Sequence, residues 1–149
     1  MAGSDLTDGK LLRLQARDAT DLGIVSSMLQ DAIAPLSDML WLPEDRRFVV
    51  AVNRFRWEQG DSSERVAAGV SFANVDAVHR RNIDAARVGG FLNLLSVTCH
   101  PDETGDTGRV TVLLTFAGDA AIRLESASLL CHLEDFGEPW PTQWSPDHA

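Results

Sequence analysis

Residues 109–135, RVTVLLTFAGDAAIRLESASLLCHLED, run as alternating apolar positions into a small turn and out again. Val110, Val112, Leu114 and Phe116 fall on one face of an extended strand, Ala117, Gly118 and Asp119 reverse the chain, and Ile122 and Leu124 resume the buried face. Successive side chains of a strand point to opposite sides, so a period of two on both arms of a glycine turn predicts a β-hairpin with one face in a core. The stretch determines architecture and carries no chemistry of its own.

Outward from the hairpin the same period recurs. Upstream lie a strand over Phe91–His100, an acidic glycine loop over Pro101–Gly108, and an alternating strand over Arg65–Phe72 that Val75 and Val78 continue. Earlier still, Met39–Leu42 and Arg47–Trp57 read as strands about a turn at Pro43–Arg46. In the second of these, Phe48, Val50 and Val52 share one face while Phe55 and Trp57 have the other parity, which predicts a bulge near Asn53 or Arg54. Leu12 and Leu14 mark a short strand over Lys10–Gln15. Between it and Pro35, Leu22, Val25, Met28, Leu29, Ala32 and Ile33 recur at spacings of three and four and predict one amphipathic helix, capped by Asp18 or Thr20. Residues 1–9 read as a loose tail, 10–136 as a single domain, and 137–149, GEPWPTQWSPDHA, as an extended Pro/Trp-rich tail. The class is α+β: one N-terminal helix on a mostly antiparallel sheet of seven or eight strands, curled as a sandwich or a partly open barrel, with a PH-like domain as analogy only.

An offset of 44 residues lays Phe48–Val75 over Leu92–Asp119 without a gap, matching Arg65 with Arg109, Val66 with Val110, Phe72 with Phe116 and Ala73 with Ala117. A duplicated element of two strands, a polar loop and a strand ending in Phe-Ala would give this pattern, and so would the general likeness of alternating strands.

A chain of 149 residues with 44% hydrophobic and 23% charged residues has the size and composition of one globular domain. No apolar run approaches the ~20 residues of a spanning helix and no leader is seen, so a cytoplasmic protein with two thiols is expected. A net charge of −9 argues against nucleic acid. The charge is uneven: eight arginines make the segment from Arg46 to Arg87 near neutral or slightly basic, whereas Pro101–Ala149 carries nine acids against Arg109 and Arg123.

Four segments, DLGIVSSMLQDAI, WLPEDRRFVVAVNRFRWE, FLNLLSVTCHPD and TFAGDAAIRLESASLLCHLEDFG, resemble in order the bacterial family of unknown function called DUF2948. The resemblance covers Lys10 to Trp140 and implies a small soluble bacterial protein. It assigns no activity, cofactor or site residue.

The candidate sites therefore rest on the residues themselves. Arg54 and Arg56, one face of a strand, together with His79, Arg80 and Arg81 would form an anion-binding patch if their strands pair; the alternative is that they pair with Glu44, Asp45, Glu58 and Asp76 on a solvated face. Cys99-His100 and Cys131-His132 contain metal-ligand chemistry, but neighbours on a strand diverge, so no metal and no cofactor is assigned; the two thiols could be neighbours on paired strands. Glu134 and Asp135 read as ordinary surface charges. No Ser, Thr or Cys sits in a nucleophile elbow and no glycine loop cradles a phosphate, which leans away from an enzyme. Trp140 and Trp144 mark the tail as a segment for docking, on its own domain or on another chain. The reading is a non-catalytic binding or assembly module, with a protein partner or a homodimer; the alternative is a small-molecule or anion binder, or an enzyme, with a cleft near Arg54, Arg56 and His79.

Overall fold

The computed structural model describes residues 11–59, 64–84, 89–103 and 107–141. After β1 (Arg13–Ala16) comes a single helix, α1 (Ala19–Met28). The Asp18 carboxylate accepts the Asp21 N–H at 2.8 Å and so satisfies one of the orphan donors of the first turn. The helical spacing of apolar residues continues to Ile33, but the helix does not. Asp31 turns the chain in the left-handed region, with φ 64°, and residues 32–35 form a strand, β2 (Ala32–Pro35). Ala32 and Ala34 are buried in alternation, because hydrogen bonding to a neighbouring strand overrides a local period that both structures could accept.

The remaining strands are β3 (Met39–Leu42), β4 (Arg47–Phe55), β5 (Glu64–Phe72), β6 (Val75–Arg81), β7 (Phe91–Pro101), β8 (Val110–Phe116), β9 (Ala120–Ser126) and β10 (Cys131–Pro141). The described residues thus hold ten strands in one antiparallel sheet, ordered β1-β10-β5-β4-β2-β7-β8-β9-β6, with β3 added to β4. This exceeds the expected seven or eight, and the two additions have causes. β2 was hidden inside the helical pattern, and β6, read as the continuation of β5, is a separate strand that leaves it at Asn74, φ 62°.

β2 is the hinge of the sheet. It pairs with β7 over its whole length and with β4 at Ile33 opposite Asn53. It thereby joins one block, β1, β10, β5, β4 and β3, to another, β7, β8, β9 and β6. α1 packs on β7 and on β1, one strand from each block, so the sheet curls around it. Leu22, Val25 and Leu29 enter one continuous core with Phe48, Phe72 and Phe116. The outer strands β1 and β6 do not pair with each other, and the sheet stays open. No helix among the described residues is long and apolar enough to cross a membrane.

The hairpin of residues 109–135 is β8 and β9, with Val112, Leu114, Phe116, Ile122 and Leu124 buried. Gly118 and Asp119 take positive φ in its turn, 81° and 62°, a conformation that glycine adopts at no steric cost and aspartate tolerates. At the offset of 44, β4 and β5 correspond to β7 and β8, and both pairs are antiparallel neighbours. The likeness ends there. β9 folds back on β8, whereas the free edge of β5 is taken by β10, and β6 crosses to pair with β9. The expected bulge in β4 is absent: its register with β5 runs unbroken from Phe48 opposite Phe72 to Phe55 opposite Arg65.

Candidate functional site

The unbroken register puts arginine where an apolar side chain was expected. Phe48, Val50 and Val52 point into the core, and so do Arg54 and Arg56, while Phe55 and Trp57 lie on the outer face. Arg54 is 0% exposed. All five of its N–H groups are used. Nε and Nη2 donate to the two Asp135 carboxylate oxygens at 2.8 and 2.7 Å, and Nη1 and Nη2 donate to Glu58 at 2.9 and 2.8 Å. The last goes from Nη1 to the Phe55 carbonyl at 2.9 Å. This bidentate pairing on two sides is what a planar guanidinium offers and an ammonium does not.

Asp135, fully buried on β10, also accepts the Leu12 N–H at 2.9 Å, tying β1 into the same network. Asp135 was expected on the surface beside Glu134. The alternation of Cys131, Leu133 and Asp135 on the buried face explains why it is not. Arg56 donates to Glu64 at 2.6 Å and lies 3.9 Å from Glu58. On the outer face the Arg65 guanidinium stacks over the Phe55 ring, 3.9 Å from its centroid.

Burial opposes the charge of Arg54, but its hydrogen bonds with Glu58 and Asp135, and their charges, outweigh this and raise its pKa. Burial opposes the charge of Glu58 too and would raise its pKa; the hydrogen bond from Arg54, one from its own backbone N–H and the charges of Arg54 and Arg56 hold it below the ordinary 4.5. A carboxylate whose folded pKa is depressed contributes stability that is complete above its unfolded pKa and lost as pH falls through the folded one. The advantage of the native protein over Glu58→Gln in urea unfolding is therefore expected to be constant well above pH 4.5 and to shrink as the pH falls below it; a gap that does not change with pH would contradict this pairing.

The other three candidates stand apart. β6 pairs with β9 and not with β4, so His79, Arg80 and Arg81 do not meet Arg54 and Arg56. They line a cleft of about 260 Å³ with Leu113, Ala121 and Arg123. The register builds it: His79 lies opposite Arg123, and Arg81 opposite Ala121. His79 Nε2 is 2.9 Å from Glu125, which also lies 3.6 Å from Arg123. Arg81 donates to Asp119 at 3.2 Å from a largely exposed position. The guanidinium groups of Arg81 and Arg123 and the His79 imidazole thus share one outward face around an apolar floor, with Glu125 and Asp119 as the facing carboxylates, while Arg80, opposite the buried Ile122, has the other parity on β6. Arg123 and Glu125 were not singled out from the sequence, although their parity on β9, opposite to Ile122 and Leu124, marks both as outward.

Asp76 clamps the near end of β6. It accepts Arg46 Nε and Nη2 at 3.0 and 2.7 Å and Arg109 Nη2 at 3.0 Å, and these two arginines hold its carboxyl below the usual range.

Cys99 and Cys131 are free thiols on β7 and β10, strands that do not pair with each other. Burial pushes Cys131 up to about 12 and Cys99 upward as well. Among the described residues no group of three or more His, Cys, Asp or Glu could hold a metal ion. The backbone of Trp140 belongs to β10, opposite Arg65; its side chain, Trp144 and the tail of residues 1–9 lie outside the described residues.

Residues 12–148 match the model of the family DUF2948, described as a protein of unknown function. The chain belongs to this family. No curated protein and no solved structure matches it. For this DUF2948 member, function is therefore argued from the two charged clusters, of which Arg54's is closed by its own chain and His79's opens to solvent.

Proposed function

We propose that the protein is a non-catalytic binding module that takes an anionic group in the cleft on the outward face of β6, β9 and β8. The observation that carries this reading is the convergence of Arg81, Arg123 and His79 on one cleft in a chain of net charge −9. An acidic protein that gathers exposed arginines around a concavity creates a local field opposite to its overall one, which draws in anions. Guanidinium forks suit carboxylate or phosphate oxygens, and Leu113 and Ala121 offer apolar contact to the organic part of the ligand. These groups supply charge and shape, which supports binding over catalysis. Arg54 and Arg56 serve the fold in this reading, and two free cysteines fit a reducing, cytoplasmic setting.

Calorimetric titration with inorganic pyrophosphate and with citrate tests the proposal. Saturable binding that weakens with added salt is expected, and Arg81→Ala with Arg123→Ala should weaken it by at least about tenfold, since each lost charged hydrogen bond is worth roughly 1.5–3 kcal/mol. Neither anion binding, or equal binding by the double variant, would refute it.

A further inference from the structure

The two outward faces of the sheet differ in kind. On the block of β7, β8, β9 and β6 the outward positions include Thr98, Thr111, Arg123, Glu125 and His79, as a wetted antiparallel face requires. On β4 and β5 they are Val49, Ala51, Asn53, Ala67, Gly69 and Ser71, a centre without a charge. All six are partly exposed. Two large apolar side chains stand at its opposite sides, Phe136 on β10 beside Ala67 and Leu40 on β3 beside Val49, 50% and 54% exposed. Next to Phe136 is a recess of about 220 Å³ floored by Ala51, Asn53 and Ala67 and walled by Pro35 and Asp38.

We propose that this face is the interface of a symmetric homodimer in which the Phe136 side chain of each protomer fills the recess of the other. A two-fold axis lying over β5 and parallel to it preserves each cross-strand row and exchanges β10 with β4 and β1 with β2. The row of Phe136, Ala67 and Asn53 then meets itself reversed about Ala67, and the partner's Phe136 arrives over Asn53 beside Pro35. Knob and hole are thus self-complementary, as an isologous contact demands. The area suffices: five strands at ~4.8 Å spacing by seven residues at ~3.4 Å give roughly 600 Å² of flat face, which side-chain relief brings near the ~800 Å² per partner of a stable interface. Charge also permits it. The chain carries −9, yet around this face Arg13 and Arg47 balance Asp38 and Glu134, so two acidic copies meet here without net repulsion.

Sedimentation velocity on the full chain between about 1 and 100 μM tests the proposal. A dimer is expected, and Phe136→Asp should raise its dissociation constant about a hundredfold or more, with the circular dichroism and the pyrophosphate titration unchanged. Ala67→Arg, which fills the floor without touching the core, should do the same and keeps the test decisive if Phe136→Asp fails to fold. A wild-type monomer at 100 μM, or a dimer that survives the folded variants, would overturn the assignment. Loss of the dimer with anion binding intact, or the reverse, separates this inference from the function proposed above.

Discussion

Arg54→Ala is expected to cost the fold about 3–5 kcal/mol, the loss that follows when one partner of a buried ion pair is removed and the other stays charged. The reason is the completeness of the network: Asp135 is fully buried and would keep only the Leu12 N–H, while Glu58 would lose both its hydrogen bonds from Arg54. Urea unfolding followed by tryptophan fluorescence measures the loss, read as a lower midpoint at unchanged slope. A second comparison isolates the charge. Arg54→Met alone leaves a buried carboxylate, whereas Arg54→Met with Asp135→Asn removes the charge and keeps an amide oxygen to accept the Leu12 N–H. The double variant should be the more stable of the two; if Arg54→Ala loses less than about 1 kcal/mol, the network is not a stabilising centre.

Phe72→Ala should be nearly as damaging, at about 3–5 kcal/mol. Phe72 is 1% exposed and stands where the first block is knit together, opposite Phe48 of β4 on one side and Cys131 of β10 on the other. Truncation opens a cavity that three paired strands, fixed by their ladders, cannot collapse to fill. Phe91, which is 55% exposed, provides the contrast: Phe91→Ala should stay within about 0.5 kcal/mol of wild type. Equal losses at the two positions would mean that the core does not lie on the face assigned to it.

Much of this architecture was legible in the residues. Alternation alone located the β8–β9 hairpin, β4, β5 and β7, because each buries one face and leaves the other wet. It failed where two signals competed. Ala32 and Ile33 continue a helical spacing and also suit a strand, and only the distant Leu94 and Asn93 that pair with them decide the matter. At Arg54 the error is of another kind: the phase of β4 is correct through Val52, and a bulge is expected because the large apolar Phe55 and Trp57 have the other parity. Following the phase literally would have placed Arg54 inside, and the same rule on β10 places Asp135 inside with Cys131 and Leu133. Two buried opposite charges reached independently would have suggested their pairing. The cleft was half legible, since His79, Arg80 and Arg81 are consecutive, but Arg123 joins them only through the β6–β9 register.

The contact between Arg54 and Asp135 spans 81 positions of the chain, and that separation dictates an order of events. A chain growing from its amino end exposes β4 and β5 long before β10 exists, and until then Arg54 has Glu58 but lacks its inner carboxylate, and one edge of β5 stays open. The first block therefore waits for the last strand, even though most of its sequence is made early. Closing so long a loop is slow relative to local pairing. The β3–β4–β5 and β7–β8–β9 meanders, whose contacts are between neighbours in sequence, are the parts of the molecule able to take shape before it.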